Sequence, residues 1–474
     1  MTTPDTLIDK VKNTLDSNRM LESADRIVCA VSGGPDSIFL ANVLDQLRDD
    51  LNFGLTLAHV NYHTRGADSD LDEQLCRRFA DGRNLKIYVK SATESELDRI
   101  RSSNFQREAR ALRMEFLDRV RVETGAGSIA VGHTADDVVE TVLMHFLRGS
   151  GLAGISGISP VSGHTVRPII DCWKQDIIEF LDSNGIEYRI DKSNLGNDYV
   201  RNQVRNLLIP TIRDNFNPRF SEAVLRLSRI ARFTNQFIEE RVRRLADICL
   251  SWSRMGKILI DVESLSNAPR VLQFGLIRRA YAALMPGVRH GRSLDQELVE
   301  AILGLFSADN GKCLDLVNNV VVEKGVKTLV MYLRDCPAPR ESRIEVPGHN
   351  PLDQFCLELW TEIVDYDGEE VKRTDEWYVM VDADCSKGDL EVRPIRQGDR
   401  VRLLNSPGTR KVSDILTDRK IPKALRSEIP VLVNDDGIIW IPGIGIAHRV
   451  RIAGSTSKAL KLHAIPYVIH KDRR

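Results

Sequence analysis

The sequence predicts an α/β fold: a parallel sheet with helices on both faces, then a mainly helical region and a small α+β C-terminal region. Three observations carry that expectation. From residue 25 to about 190, strand-like apolar runs alternate with helical periodicities, the pattern of parallel strands joined by crossover helices. From about Asn215 to Leu333 Arg-rich amphipathic stretches dominate, and beyond Leu390 short β-like runs take over.

The bulk properties bound the rest. A chain of 474 residues exceeds what one core supports and suggests two to four domains. Its formal net charge of -1 gives no global sign of nucleic-acid binding, so any basic surface must be local. No apolar run approaches a membrane span and the N-terminus is polar, so neither a membrane nor a signal peptide is expected. Eight scattered cysteines include no C-x-x-C pair, which argues against zinc, iron–sulfur and disulfide frameworks and for a reducing, cytoplasmic setting.

The first strand is expected at Arg26–Val31 and leads into Ser32-Gly33-Gly34-Pro35-Asp36-Ser37, with a helix from Ser37 to Leu47 carried by Ile38, Phe39, Val43, Leu44 and Leu47. Strand, glycine-serine loop and helix N-terminus together form an anion site, since amides approach a phosphate and the helix dipole favours negative charge. Pro35 suits the first helical turn. Asp36 belongs in such a site when a cation bridges it to phosphate, which points to Mg²⁺. No Lys follows the glycines, so this is not a Walker A loop. A tight turn that merely needs glycine is the competing reading.

Further strands are expected at Leu55–Tyr62, Lys86–Ser91 and Ser128–Gly132. Ligands of such sheets sit beyond the carboxyl ends of the strands. Three of these ends are polar and should converge: Ser32-Gly33-Gly34, His59–His63 and Gly132-His133-Thr134. In the helix Phe105–Val120, Arg113 shares an apolar stripe with Leu117 and Val120. A phosphate would be a good bidentate partner for it; a salt bridge to Glu108 or Asp137 is the alternative. His133 could donate to a phosphate oxygen or be a satisfied core residue.

The helix Thr134–Arg148 opens with a Thr134-x-x-Asp137 cap and has Val138, Val139, Val142, Leu143, Phe146 and Leu147 as its apolar face. Asp137 and Glu140 lie opposite, three residues apart, as a site for an amine or Mg²⁺, or as a solvated face. The polar segment 191–206 follows, with Arg201 and Arg205 on one helical face. Tyr199 to Leu245 holds ten Arg, no Lys and four acids, a bias toward bidentate phosphate contacts or again a solvated face.

The loop resembles the pyrophosphate loop of the N-type ATP pyrophosphatase (PP-loop) superfamily. The assembled motifs resemble the bacterial tRNA(Ile)-lysidine synthetase family closely. They are Ser32–Ser37, His59–Gly66, Glu108–Arg113, Gly132–Thr141, Leu147–Gly151 and Asp191-x-Ser193-Asn194 through Arg201-Asn202. Near the end come Arg396-x-Gly398-Asp399-Arg400, Arg419–Pro422 and Ile439–Gly443. One departure is Tyr62-His63-Thr64, where the family commonly has His-Gly after the Asn.

The resemblance implies a Rossmann-like, adenine nucleotide alpha hydrolase-like catalytic domain over 1–215 and a mainly helical tRNA-binding domain over 216–340. A connecting segment or the start of the C-terminal domain over 341–384, and a tRNA-recognising C-terminal domain over 385–474, would follow. It implies that ATP adenylates the ring carbonyl oxygen of the wobble cytidine in the tRNA(Ile) with a CAU anticodon. Free L-lysine then displaces AMP to give lysidine, changing codon reading from AUG to AUA and identity from Met to Ile. ATP would be bound by Ser32, Gly33, Gly34, Pro35, Asp36, Ser37, Arg113 and His133, of which Asp36, Arg113 and His133 are catalytic and Asp36 holds Mg²⁺ through phosphate. Asp137 and Glu140 would take the lysine ammonium and Arg205 its carboxylate. Arg201, Arg400, Arg410, Lys411, Arg419 and Lys420 would meet tRNA, and a homodimer is expected from base rates. A tRNA thiolation enzyme, a small-molecule ATP-dependent synthetase or amidotransferase, and a non-catalytic tRNA-binding module are the rival readings.

Overall fold

The computed structural model describes residues 4–21, 26–64, 66–101, 105–190, 200–285, 294–335, 339–368 and 375–467. Two compact units divide the chain, 1–236 and 237–474, where the sequence reading put borders near 215, 340 and 384.

The first unit runs α1 (Pro4–Ser17), β1 (Arg26–Ala30), α2 (Pro35–Leu47), β2 (Gly54–Asn61), α3 (Ala67–Asp81), β3 (Lys86–Ser91), α4 (Glu94–Arg101), α5 (Phe105–Thr124), β4 (Ser128–Ala130) and α6 (Ala135–Leu147). It continues with α7 (Leu152–Ile155), β5 (Val161–Ser162), β6 (Thr165–Val166), α8 (Lys174–Ser183), α9 (Val200–Gln203), a π-helical turn Val204–Leu208 and α10 (Ile209–Asn215), and it contains the first part of α11 (Phe220–Cys249). The strands form one sheet in the order β3-β2-β1-β4-β6-β5, parallel except for the edge strand β5. Ile27, Val28 and Cys29 of β1 are fully buried, as a central strand covered on both faces requires. Leu40, Leu44 and Ile177 pack on one side of the sheet, and Phe116, Leu117 and Val120 on the other. The order reverses between β1 and β4, and the crevice beyond their carboxyl ends is where such sheets bind ligands.

In the second unit the helices α12 (Val262–Ser266), α13 (Arg270–Leu284) and α14 (Gln296–Gly304) pack on a five-stranded sheet with the order β7-β8-β11-β10-β9. Its strands are β7 (Leu250–Trp252), β8 (Ile258–Asp261), β9 (Cys313–Asp315), β10 (Val320–Lys324) and β11 (Thr328–Leu333). The sequence reading of this stretch as mainly helical did not anticipate that sheet. The remaining strands are β12 (Ser342–Arg343), β13 (Gly348–Leu352), β14 (Leu357–Asp365), β15 (Tyr378–Asp382), β16 (Glu391–Pro394), β17 (Arg400–Val401) and β18 (Arg410–Lys411). After α15 (Val412–Asp418) and α16 (Lys423–Arg426) come β19 (Pro430–Asn434), β20 (Gly437–Ile441), β21 (Gly445–Ile446) and β22 (Lys458–Pro466). Sheets β12-β16-β19-β20-β21 and β13-β14-β22-β15 share one core around the buried Trp440. Buried polar ties join the two parts of this unit. Glu323 of β10 accepts the amides of Lys423 (2.8 Å) and Ala424 (2.9 Å) at the start of α16, and Lys257 lies 3.5 Å from Glu428.

No helix among the described residues is long and apolar enough to cross a membrane.

Candidate active site

The loop after β1 is shaped by its own small residues. Gly33 adopts φ +84°, a conformation that costs glycine nothing and other residues about 1–2 kcal/mol. Gly34 is the extended N-cap of α2, with Pro35 in the first turn. The Ser37 hydroxyl works inside the loop: it accepts the Ser32 amide (3.0 Å) and donates to the Gly34 carbonyl (3.0 Å). It therefore holds the loop closed. The amides of the first turn of α2 have no intrahelical acceptor, which is what an anion needs. The chain leaving β4 comes close to this turn at Gly132, where a Cβ would meet the Asp36 carbonyl at 3.2 Å and the Ser37 amide nitrogen at 3.3 Å.

A cleft of about 350 Å³ opens beyond β1, β2 and β4, walled on one side by α5. Ser32, Gly34, Asp36, Ser37, Arg113 and His133 all line it. Tyr62 reaches the cleft too, tied by its hydroxyl to the Ala109 carbonyl (2.8 Å), while His63 faces Asp70 at 3.2 Å. Leu117 and Val120 are buried as the stripe on α5 predicts, but Arg113 is exposed at the cleft. Its two expected acidic partners are engaged elsewhere, Glu108 with Arg107 (3.3 Å) and Asp137 with Arg201 (2.5 Å).

Two more guanidinium groups line the cleft that the sequence reading did not assign to it, Arg110 and Arg167. Arg110 lies three residues before Arg113 on the same helix. Arg167 is 7% exposed, a lone charge just after a two-residue strand, with no local pattern to announce it. Its Nε donates to Nδ1 of His133 (3.2 Å) and its Nη1 to the Ser159 carbonyl (2.8 Å). A guanidinium cannot accept a hydrogen bond, so Nδ1 is the bare nitrogen and Nε2 carries the proton. Burial, with nearby Arg side chains, pushes the His133 pKa down to about 4 despite Asp137. The ring is thus a neutral donor at physiological pH.

Among the described residues, Asp36 is the one carboxylate lining the cleft. Burial pushes its pKa up to about 6, reinforced by Asp137 and Asp136 and opposed by Lys174, whose Nζ is 3.6 Å away. Its Oδ1 is buried without a hydrogen-bond partner. An orphaned carboxylate oxygen facing a phosphate-type cleft fits Mg²⁺, which is commonly bound by one or two carboxylates plus substrate phosphates. No group of three or more acidic, His or Cys ligands stands ready among the described residues, so phosphate oxygens would have to complete the shell. Lys174, like Arg167, was missed. It is distant in sequence and reaches the loop because its amide is held by Asp136 (2.8 Å) at the start of α8.

Next to this cleft α6 presents the two expected acids. Asp137 Oδ2 accepts the Thr134 amide (2.8 Å), completing the cap, and its Oδ1 takes Nη2 of Arg201 (2.5 Å). Glu140 is not on a solvated face: it is 1% exposed and accepts Nε of Arg201 (2.6 Å) and both Nε and Nη2 of Arg205. Arg201, expected to meet RNA, is thus turned inward and bridges both acids, sharing the buried Glu140 with Arg205. The last turn of α6 departs from its predicted apolar face, with Phe146 and Leu147 exposed. Asp191–Tyr199, Arg65 and Cys336 lie outside the described residues.

On the second unit, Arg400 and Lys411 face each other across the β17–β18 pair, both exposed. Like charges directly opposite on a ribbon repel, and an anion would relieve them. Arg419 instead ties its own fold together, donating to Glu376 (2.7 Å) and the Ile444 carbonyl (3.0 Å). Arg410 is paired with Asp418 (2.5 Å), and Lys420 is exposed with φ +60°.

A PP-loop domain model matches residues 5–212, and a model of the TilS substrate C-terminal domain matches 390–463. A tRNA(Ile)-lysidine synthase of Geobacter sulfurreducens is 32% identical over 473 residues, covering 96% of this chain and 97% of that one. One of Clostridium acetobutylicum is 29% identical, covering 96% and 99%. Among solved structures, the U34-tRNA thiolase NcsA from Methanococcus maripaludis is similar over 48% of this chain and 79% of its own, at 18% identity and a TM-score of 0.40.

Proposed function

The chain belongs to the tRNA(Ile)-lysidine synthase family, and from that premise we propose that it ligates L-lysine to the wobble cytidine of a tRNA(Ile) with a CAU anticodon, using ATP. The carbonyl oxygen on the cytosine ring attacks the α-phosphorus and pyrophosphate leaves. The lysine amine then forms the C–N bond to the ring carbon, and AMP departs with the oxygen. The observation that carries this reading is a phosphate-type cleft beside two acids, Asp137 and Glu140, held by Arg201 and Arg205.

Within the cleft, the amides of the loop and α2 would hold the departing phosphates. Arg110, Arg113 and Arg167 offset their charge, and they act more strongly in a partly desolvated cleft than in water. His133, neutral and with its Nε2 proton free to donate, would bond a phosphate oxygen without changing its charge state. Asp36 would hold Mg²⁺ against the phosphates; when bound, the ion stabilises charge on the leaving pyrophosphate. Lys174 keeps Asp36 oriented.

Asp137 and Glu140 would receive the lysine ammonium and Arg205 the carboxylate. As the acids stand, two guanidinium groups neutralise them. Entry of one ammonium keeps the charge balanced when Arg201 swings away and leaves Arg205 behind. One of the two acids then takes the proton that the amine sheds before it attacks. RNA would be met by the Arg-rich stretch after residue 200 and by Arg400 and Lys411, with Arg410, Arg419 and Lys420 nearby. Residues 1–215 would be the catalytic part, with 216–340 and 385–474 facing the tRNA and 341–384, whose strands share the C-terminal core, forming the start of the C-terminal domain. Paired copies fit the exposed Leu227, Ile230 and Phe233 along α11. A chain that modifies tRNA with ATP would work in the cytoplasm.

The test is Asp36→Ala assayed for pyrophosphate release with tRNA and ATP. Release should fall at least about a hundredfold while tRNA affinity holds, because the loop meets ATP and metal. Near-normal turnover would overturn the assignment.

A further inference from the structure

Far along the chain from the catalytic loop, the solvent face of the sheet β13-β14-β22-β15 carries a line of rings. Register sets His349 opposite Trp360, Trp360 opposite His463 and His463 opposite Tyr378. One ring-bearing side chain from each of the four strands therefore lies in a single row across the sheet. The alternation along β14 explains the shared face: Leu357, Leu359 and Thr361 are buried, and Glu358, Trp360 and Glu362 between them point out. Trp360 is 47% exposed. It stacks on His349 with ring centroids 4.1 Å apart, and Tyr378 meets His463 edge to face at 5.5 Å. Among the described residues no ring contact joins Trp360 to His463, so two ring pairs flank a gap. A concavity of about 640 Å³ opens over the row, bordered by Pro347, Glu362 and Lys461.

We propose that this row is a stacking platform for unpaired nucleobases of an RNA strand. Sheets of four strands with aromatic residues on the open face bind single-stranded RNA in this way, and stacking tolerates any base because every base has a π-face. Each ring here also has a polar edge (imidazole nitrogen, indole N–H or phenol hydroxyl) that can meet a base edge, which an aliphatic protein-docking surface lacks. The lysine bordering the row, Lys461, lies 3.9 Å from Glu362, and the carboxylate of Glu358 lies 3.4 Å from the His349 ring. Stacking rather than phosphate attraction therefore carries the contact. Three of the four rings lie outside the matched C-terminal segment 390–463. The choice of RNA as occupant rests on the function proposed above.

The test measures binding of fluorescent single-stranded hexaadenylate RNA to the full chain without ATP or lysine, so that failed ligation and a failed platform remain distinguishable. Salt of about 0.3 M suppresses phosphate-driven binding elsewhere. The parent should bind and its indole fluorescence should be quenched. Trp360→Ala should weaken binding about tenfold and Trp360→Phe by less than about threefold. His463→Ala, on the same exposed row, should weaken it as well and covers the case of a misfolded Trp360 variant. Equal affinity in the parent and both alanine variants would overturn the proposal. So would equal competition by a blunt RNA duplex, which would assign the surface to phosphate, or no binding by the parent, which would leave the face to a protein partner.

Discussion

His133 shows what single side chains contribute. Its ring is buried beside Arg167, and its folded pKa of about 4 lies below the ordinary value of 6.5. Between these values the unfolded chain binds the proton and the folded chain does not, so stability falls as pH drops from about 6.5 toward 4 and this contribution is flat above. An NMR titration should show the His133 ring protonating near pH 4, and pyrophosphate release should show no ionisation near 6.5 that His133→Asn removes. A His133 midpoint at the ordinary value would contradict the donor role. Ser37→Ala should cost about 1–2 kcal/mol of stability by freeing the Ser32 amide and the Gly34 carbonyl, read by chemical denaturation. Residues close together in sequence were legible: Ser32, Gly34, Asp36, Ser37 and His133 line the cleft, while Gly33 and Pro35 shape the loop without lining it. Arg167 and Lys174 were not, because no local pattern marks a charge that tertiary packing carries in from another strand or helix.

Elements carry the next layer. The end of β4 and the start of α2 can approach closely because residue 132 has no side chain. Gly132→Ala should therefore shift the loop and raise the KM for ATP severalfold, with about 1–3 kcal/mol of lost stability from overpacking. An unchanged KM would show that the contact is slack. On α6, Glu140→Gln leaves two guanidinium groups facing a neutral amide and should cost about 2–5 kcal/mol of lysine binding. Asp137→Asn should act in the same direction. Lysine-dependent AMP release measures both, and if lysine-independent pyrophosphate release falls equally the acids serve ATP instead. The four parallel strands β1 to β4 were legible because apolar runs alternated with helical periodicity. The sheet of β7 to β11 was not: strands of three to six residues offer too few positions for a period-2 pattern. The five residues of β10 are buried without alternation, charged Glu323 and Lys324 included.

At the scale of the whole molecule, an overall charge near zero hides local surfaces that must recognise RNA. If Arg400 and Lys411 meet phosphates, Arg400→Ala combined with Lys411→Ala should weaken tRNA binding and flatten its dependence on salt by about two phosphate contacts. The KM for ATP should not change. The same slope in parent and variant would make that ribbon structural. Adenylation of a cytidine in tRNA and its transfer to lysine by one chain can be followed with purified tRNA species, ATP and lysine, reading pyrophosphate and AMP separately. Pyrophosphate should appear from ATP and tRNA(Ile) alone, AMP only once lysine is added, and the tRNA should become heavier by one lysine residue. Lysine-dependent AMP release without RNA, or no pyrophosphate with any tRNA, would contradict that chemistry.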